Sequence, residues 1–252
     1  MARDQRPPHE EDAHPFRARG FIASAIVVGL VAVLGGVVLV TGDSQDTDDN
    51  AAPTPTASKT TAPAPDTGGS NDGCPAMSSS PSKVPAVAPE GVTWELIEGF
   101  AVPESKTSGP AKIEGDVARC YAHTPTGALT AAVQITVRNL TADDWKSIAE
   151  KQAVGDGRQN YIDKRAKFEK EEGDTPADPS RSNAQISGFK FVTYSAETAV
   201  IDLVWQAKGG QLSAGTVTMK WHGGDWKNEI ALNPAPGGPI DDMSGYAAWG
   251  GV

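Results

Sequence analysis

The sequence predicts an α+β protein with one membrane-crossing helix, a disordered linker, and an outer domain whose helices pack on a curved antiparallel sheet. Three observations support this class. Residues 21–40 form an uncharged apolar run, a stretch rich in Pro, Thr and Asp follows it, and beyond residue 91 helical spacing of apolar residues gives way to alternation. The segments are expected at 1–20 (tail), 21–41 (membrane helix), 42–90 (linker) and 91–252 (domain).

The run FIASAIVVGLVAVLGGVVLV, Phe21–Val40, has no charged residue in 20 positions. At about 1.5 Å of helix rise per residue, it spans a hydrocarbon core of roughly 30 Å. A cleaved signal peptide is the alternative, because it also places basic residues before an apolar run. Signal peptides have a shorter apolar core followed by an A-x-A pattern, so the uninterrupted length favours an uncleaved anchor.

The residues flanking this run predict its orientation. Arg17 and Arg19 precede it, whereas four aspartates follow it and no Lys or Arg occurs again until Lys59. Basic residues resist translocation and acidic ones count for little, so the N-terminus is expected in the cytoplasm. Everything after Thr41 is then extracytoplasmic, in a single-pass protein of the cell membrane.

Small residues recur along the predicted membrane helix at spacings of four, three and four, at Ala25, Gly29, Ala32 and Gly36. Such a stripe lets two helices approach closely and would permit a homo-oligomer. The alternative, which is favoured, is that Gly and Ala are simply common in membrane helices.

The segment DSQDTDDNAAPTPTASKTTAPAPDTGGSNDG, which begins at Asp43, contains no aromatic and no large aliphatic residue. It cannot bury enough apolar surface to offset the entropy of ordering, so a disordered and partly extended tether is expected. Its Thr and Pro content is also typical of O-glycosylated stretches, although composition alone does not establish glycosylation.

The first half of the outer domain is predicted to be mainly helical. VTWEL alternates like a half-buried strand, and the Pro/Gly-rich passage VPESKTSGPAKIEG is expected to be a loop. A helix is expected over 125–138, although the alternation of Ile135 and Val137 leaves a strand ending open. Thr141 and Asp144 predict the capped start of a second helix that ends at Gly155 or Gly157, and RQNYIDKRAKFEKEE predicts a weaker third helix.

After the Pro-containing loop GDTPADPSRSN, the period of the apolar residues changes to two. SGFKFVTYS, TAVIDLVWQ, GTVTMKW and WKNEIAL are predicted to be four antiparallel strands. The apolar faces of the two middle strands should carry Ile201, Leu203, Trp205, Val217, Met219 and Trp221.

The stretch KWHGGDWKNEIAL predicts a β-hairpin with a two-residue loop, Gly223 and Gly224, closed by His222 and Asp225. A histidine near an aspartate could also bind a metal or move a proton. A metal site needs about three or four ligands, however, and the domain has only two histidines, His123 and His222, neither with ligand spacing. Structural roles are therefore favoured for both, and no metal or cofactor is expected.

Cys74 and Cys120 are the only cysteines. Both lie on the oxidising side of the membrane if the predicted topology holds, so a disulfide that ties the tether to the domain is expected. Unpaired thiols and an intermolecular bond are the alternatives.

The composition argues against several functional classes. A formal net charge of −10 opposes direct capture of nucleic acid, which depends on Lys and Arg neutralising phosphates. The sequence has no G-x-S-x-G nucleophile motif, no P-loop and no dinucleotide fingerprint. A non-enzymatic protein is therefore expected.

Three motifs, CYAHTPTGALTAA, MKWHGGDWK and SGYAAWGG, resemble a group of uncharacterised actinobacterial membrane-anchored proteins found beside conjugative or integrative elements. The layout of tail, single crossing and outer domain also resembles the single-pass assembly factors of type IV secretion and conjugation machines. The resemblance implies a nuclear-transport-factor-like (cystatin-like) fold. It also implies a scaffold that contacts other membrane or channel proteins and has no enzymatic activity.

Two other functions are compatible with such a fold. One is an extracytoplasmic domain that binds a small ligand in an apolar pocket lined by Tyr194, Trp205 and Trp221. Aromatic residues at alternating strand positions are more often core, so this function ranks second. The other is an enzyme with a buried acid in that pocket, for which Asp202 is the most plausible residue; it ranks last.

Overall fold

The computed structural model describes residues 73–77, 83–172 and 184–251. This part of the chain forms an α+β domain with three helices and a curved, mainly antiparallel sheet. None of its helices is both long and apolar enough to cross a membrane. The predicted membrane helix, its small-residue stripe and most of the predicted linker lie outside the described residues.

The helices are α1 (Pro125–Thr141), α2 (Trp145–Gln152) and α3 (Arg158–Glu172). The strands are β1 (Thr93–Ile97), β2 (Phe100–Glu104), β3 (Lys112–Glu114), β4 (Val117–Arg119), β5 (Ala153–Val154), β6 (Gln185–Tyr194), β7 (Thr198–Gln206), β8 (Leu212–His222), β9 (Asp225–Glu229), β10 (Gly238–Ile240) and β11 (Ala247–Ala248).

The main sheet contains the predicted four-strand meander, β6 to β9, which is confirmed. The strand order is β11-β6-β7-β8-β9-β5, and β10 pairs with the first half of β8. Every pair of neighbouring strands in the main sheet is antiparallel, except β5 with β9. Two register shifts between β6 and β7, near Ser187 and Val192, are β-bulges, and bulged strands bend.

The prediction of a loop over 102–115 is wrong at both ends of that range. β2 runs through Glu104 and pairs with β1, and β3 forms a short hairpin with β4. Phe100, Ala101 and Val102 are all at most 3% exposed, so packing of this strand outweighs the local loop signal of Pro103. The alternation predicted in β1 also breaks, because Leu96 is 69% exposed whereas Trp94 is half-buried.

Helix α1 is buried on nearly every side. Thr124 caps it by accepting a hydrogen bond from the N–H of Gly127, with Pro125 at the first position. The helix contacts β7, β8 and β9 of the main sheet and also β2 and β4. It continues past the predicted end at Arg138 to Thr141, so the alternative of a strand ending at Ile135 and Val137 is wrong. Each fully buried aliphatic side chain here contributes about 1.5–3 kcal/mol.

Helix α2 begins later than predicted. Asp144 is its N-cap and accepts from the N–H of Ser147, whereas the predicted cap Thr141 is the last residue of α1. The predicted inward face is confirmed, since Trp145, Ile148, Ala149 and Gln152 are buried. The helix ends before Gly155 because Ala153 and Val154 extend to pair with β9.

Helix α3 packs through few apolar residues, as its sequence predicts. Tyr161 and Ile162 join Trp145, Ala149, Ala153 and Ile230 in a small cluster separate from the main core. Arg165 lies over the Trp145 ring at 4.3 Å, and the Trp145 indole donates to Glu169 at 2.8 Å. Exposed charged residues of α3 are Asp163, Lys164, Lys167, Lys170 and Glu171.

Candidate functional site

The hairpin tip at β8 and β9 is built as the sequence predicts. Gly223 and Gly224 have φ of 62° and 81°, the conformation of a type I′ turn, and His222 pairs with Asp225. A residue with a side chain would be strained at either glycine.

Asp225 holds the hairpin against the segment that precedes α1. Its Oδ2 accepts from the backbone N–H of Cys120 at 2.8 Å, and its Oδ1 accepts from the N–H of Tyr121 at 2.9 Å and of Trp226 at 3.0 Å. Burial raises the pKa of the Asp225 carboxyl, while these three backbone donors and the charge of Lys227 act in the opposite direction. Through these hydrogen bonds, the carboxylate joins the hairpin to the distant segment that contains Cys120 and Tyr121.

The two histidines of the domain have different surroundings. His123 stacks on Trp221 with ring centroids 3.9 Å apart and 8° between the planes, and its Nε2–H donates to the carbonyl of Ala196 at 2.6 Å. His222 is exposed at the hairpin tip. Within the described ranges, no group of three or more His, Cys, Asp or Glu side chains could hold a metal ion.

The predicted disulfide is present: Cys74 and Cys120 of the same chain are bonded across 46 positions. Cys120 is 1% exposed and has a φ of 68°, a left-handed conformation that is uncommon for a residue other than glycine. The Asp225 hydrogen bonds hold Cys120 and Tyr121 in place, and burial raises the pKa of the Tyr121 hydroxyl well above its usual range.

The three residues of the predicted apolar pocket do not meet at one point. Tyr194 and Trp221 both contact Trp226, at ring-centroid distances of 6.2 and 5.5 Å. Trp205 lies toward the other end of β7 and meets Phe100 at 6.3 Å. All three pack against the main core as partly buried side chains. Asp202 lies between Ile201 and Leu203, which are fully buried, and accepts from the Thr216 hydroxyl at 2.6 Å.

A groove of about 850 Å³ lies at the end of the sheet where β7 finishes and β8 starts. Trp94 and Trp249 line it with ring centroids 4.9 Å apart, and we call it the tryptophan groove. The other lining residues come from four segments: Ala88, Pro89, Val92, Gln185, Ile186, Ser187, Gln206, Ala207, Lys208, Gly210, Ala248 and Gly250. Its size is in the range of ligand sites, roughly 300–1,000 Å³.

The C-terminal segment forms one wall of the tryptophan groove. β11 pairs with Gly188 and Phe189, and the N–H of Trp249 then donates to the carbonyl of Ser187 at 2.9 Å. A Cβ on Gly251 would lie 2.6 Å from the Trp94 ring, so only glycine fits there without movement.

The sequence did not predict this groove, although both tryptophans lie in segments that the sequence analysis considered. The alternation of VTWEL predicts a strand at Trp94, and Trp249 occurs in the SGYAAWGG motif. No local pattern predicts that two residues so far apart in the chain are neighbours. The signal that could have pointed to it is the cluster of aromatic and glycine residues at 246–251, since glycines mark close backbone approaches.

The fold and this surface define a disulfide-linked α+β domain with an aromatic groove at one end of its sheet. The chain belongs to the family described as a domain of unknown function, DUF8175, whose family model matches residues 52–248. The match begins inside the segment predicted to be linker. No curated protein and no solved structure matches the chain.

Proposed function

We propose that this protein is a membrane-anchored, non-enzymatic assembly component of a conjugation or secretion apparatus. Its extracytoplasmic domain acts through contacts with other membrane or channel proteins, and it makes no direct contact with nucleic acid. A net charge of −10 supports the last point.

The observation that carries the proposal is that an aspartate and a histidine of the domain, residue types common in catalytic sites, are engaged in structural contacts. Asp225 accepts three backbone hydrogen bonds, and His123 is held between the Trp221 ring and the Ala196 carbonyl. Side chains engaged in this way maintain the fold, which supports a function carried by the surface of the domain.

The Cys74–Cys120 bond supports an extracytoplasmic location, because disulfides persist in oxidising compartments. It lies after the apolar run at 21–40 and its acidic flank, as expected for a domain that follows an outward-facing tether.

We also propose that the domain has the nuclear-transport-factor-like (cystatin-like) fold. A long helix packed on a bulged antiparallel meander supports this assignment. The fold by itself does not determine the function. The alternative function, binding of a small ligand, stays a prediction. Tyr194, Trp205 and Trp221 do not line one shared pocket for it.

The test is to crosslink the full chain in its native membranes, purify it after gentle solubilisation, and identify the attached proteins by quantitative mass spectrometry. The matched control is a chain that ends at residue 72 and so keeps the predicted anchor and tether without the domain. Enrichment of a transfer ATPase and channel subunits with the full chain over the control would support the proposal. Equal recovery from both chains, or recovery of the protein alone, would refute it.

A further inference from the structure

A smaller cavity, of about 290 Å³, is lined by the β8–β9 hairpin, the end of α2 and the β3–β4 hairpin, beside the Cys74–Cys120 bond. We call it the hairpin cavity. Its volume is close to the lower end of the range for ligand sites, roughly 300–1,000 Å³. At roughly 30 Å³ of liquid per water molecule, it has room for about ten waters or for a small organic molecule.

Gln152 gives the hairpin cavity a hydrogen-bond acceptor that the described chain does not use. It lines the cavity and is 3% exposed. Its Nε2–H donates to the carbonyl of Ala118, whereas its Oε1 is buried and accepts from no described residue. Buried polar atoms nearly always have a hydrogen-bond partner, so a ligand that brings a donor to this oxygen would be favoured.

The charges that line the hairpin cavity balance. Its described lining contains three acidic and three basic side chains, which are those of Glu114, Glu150, Asp225, Arg119, Lys151 and Lys227. Bound molecules match the charge pattern of their site, and a balanced lining matches a ligand that is neutral overall and carries both signs of charge.

Contacts within the protein already engage some of these charged groups. Asp225 accepts three backbone hydrogen bonds, and Glu114 forms ion pairs with two basic side chains. Lys227 uses one of its N–H donors on the carbonyl of Lys151, at 2.8 Å, and keeps the others. The Lys151 ammonium forms no hydrogen bond or ion pair with a described residue. Two ammonium groups of the lining therefore remain available to a carboxylate.

We propose that the hairpin cavity binds a free α-amino acid. Such a molecule is neutral overall at neutral pH and carries an ammonium and a carboxylate on the same carbon atom. The carboxylate binds the ammonium groups of Lys151 and Lys227. The ammonium of the ligand donates to Oε1 of Gln152, and the Glu150 carboxylate balances its charge.

The walls of the hairpin cavity are fixed by contacts within the domain. The disulfide joins Cys74 to Cys120, and Asp225 binds the backbone of Cys120 from the hairpin side. A site that is already ordered loses little entropy when a ligand binds, which matters most for a ligand as small as an amino acid.

The experiment measures binding of alanine to the purified full chain by saturation-transfer NMR of the alanine methyl group, with a titration that gives Kd. Propionate and ethylamine are the matched probes, because each equals alanine without one of its two charged groups. Alanine should bind, and each of the two probes should bind about tenfold more weakly, the change expected when one charge-assisted hydrogen bond is lost.

Two variants test the residues of the site. Lys151→Met should raise the Kd of alanine about tenfold, whereas Lys146→Met, another exposed lysine of α2 that does not line the cavity, should leave it unchanged. Gln152→Leu should weaken the binding of alanine and not that of propionate. Because Gln152→Leu also removes the bond to Ala118, its urea unfolding is measured in parallel, and Lys151→Met tests the site without changing a buried contact.

Three results would overturn the inference. The first is the absence of alanine binding. The second is binding of propionate or ethylamine as tight as that of alanine, which would show a site for an anion or for an amine alone. The third is an equal effect of Lys151→Met and Lys146→Met. The purified chain needs no channel subunit for this experiment, so the inference and the proposed assembly function can fail separately.

Discussion

The Asp225 carboxylate accepts a hydrogen bond from the backbone N–H of Cys120, a residue 105 positions earlier in the chain. This contact joins the β8–β9 hairpin to the segment that carries the disulfide and leads into α1. Much of the stability of this end of the domain should depend on it.

Asp225→Asn should lower the free energy of unfolding by about 1–3 kcal/mol, because one amide NH₂ group then faces a backbone donor that has no acceptor. Urea unfolding measures the change. Asp202→Asn is the matched control, since the amide oxygen can still accept from Thr216, and it should change stability by less than about 0.5 kcal/mol. Equal losses in the two variants would contradict the role of Asp225.

The stabilisation that Asp225 provides should depend on pH. Burial, the largest influence, raises the folded-state pKa, so the folded chain holds a proton at pH values where the unfolded chain has lost it. The associated stability is fully present below the unfolded pKa of about 3.9 and is lost as pH rises through the higher folded value. The stability difference between wild type and Asp225→Asn should therefore shrink with rising pH in urea titrations. A stability difference that grows with rising pH would contradict a raised folded-state pKa of Asp225.

Removal of the disulfide with Cys74→Ser and Cys120→Ser should cost about 4 kcal/mol, the loop-entropy value for a closure of this length. Thermal unfolding with and without reductant measures it. Reductant should lower the stability of wild type to that of the variant and leave the variant unchanged. Insensitivity of wild type to reductant would show that the bond does not stabilise the domain.

Gly127→Ala should destabilise the domain by about 3 kcal/mol, the upper part of the range for overpacking. A Cβ at Gly127 would lie 1.9 Å from the Ala122 carbonyl oxygen, at the start of α1. Gly215→Ala is the control, because nothing lies within 4 Å of its Cβ position. Similar stabilities of the two variants in urea would mean that this close approach is not required.

His123→Ala should cost about 1–2 kcal/mol, since it removes the stacking on Trp221 and the bond to Ala196. His222→Ala, at the exposed hairpin tip, should be neutral within about 0.5 kcal/mol. Thermal unfolding of the two variants in parallel tests the contrast, and a neutral His123→Ala would contradict it.

The parts of the fold that could be predicted are those determined by local pattern. Alternation identifies β7 and its buried Ile201 and Leu203, and the Gly-Gly pair identifies the hairpin. β5 and β11 could not be predicted, because each depends on a partner distant in sequence. Ala247 and Ala248, for example, become a strand only because Phe189 and Gly188 are beside them. β2 pairs with its neighbour β1, but it was hidden by the local loop signal of Pro103.

The candidate sites, too, could be predicted only where local sequence pattern determines them. The cysteine pair could be predicted because the chain has only two cysteines and the predicted extracytoplasmic location favours oxidation. Alternation places Trp205 and Trp221 on inward faces but does not say how far apart along the sheet they lie. The tryptophan groove requires Trp94 and Trp249 to meet, which depends on the packing of two chain segments that no spacing rule connects.

The position of the Cys74–Cys120 bond also determines how the domain would bear mechanical load. A pull on the chain from its N-terminal side passes at Cys74 into Cys120, and from there into Asp225 and the capped start of α1. Ala88 and Pro89 of the groove wall lie inside the loop that the bond closes, so the covalent path of that tension bypasses them. The strand that is first in sequence, β1, and its pairing with β2 are thereby shielded from a pull that travels along the chain.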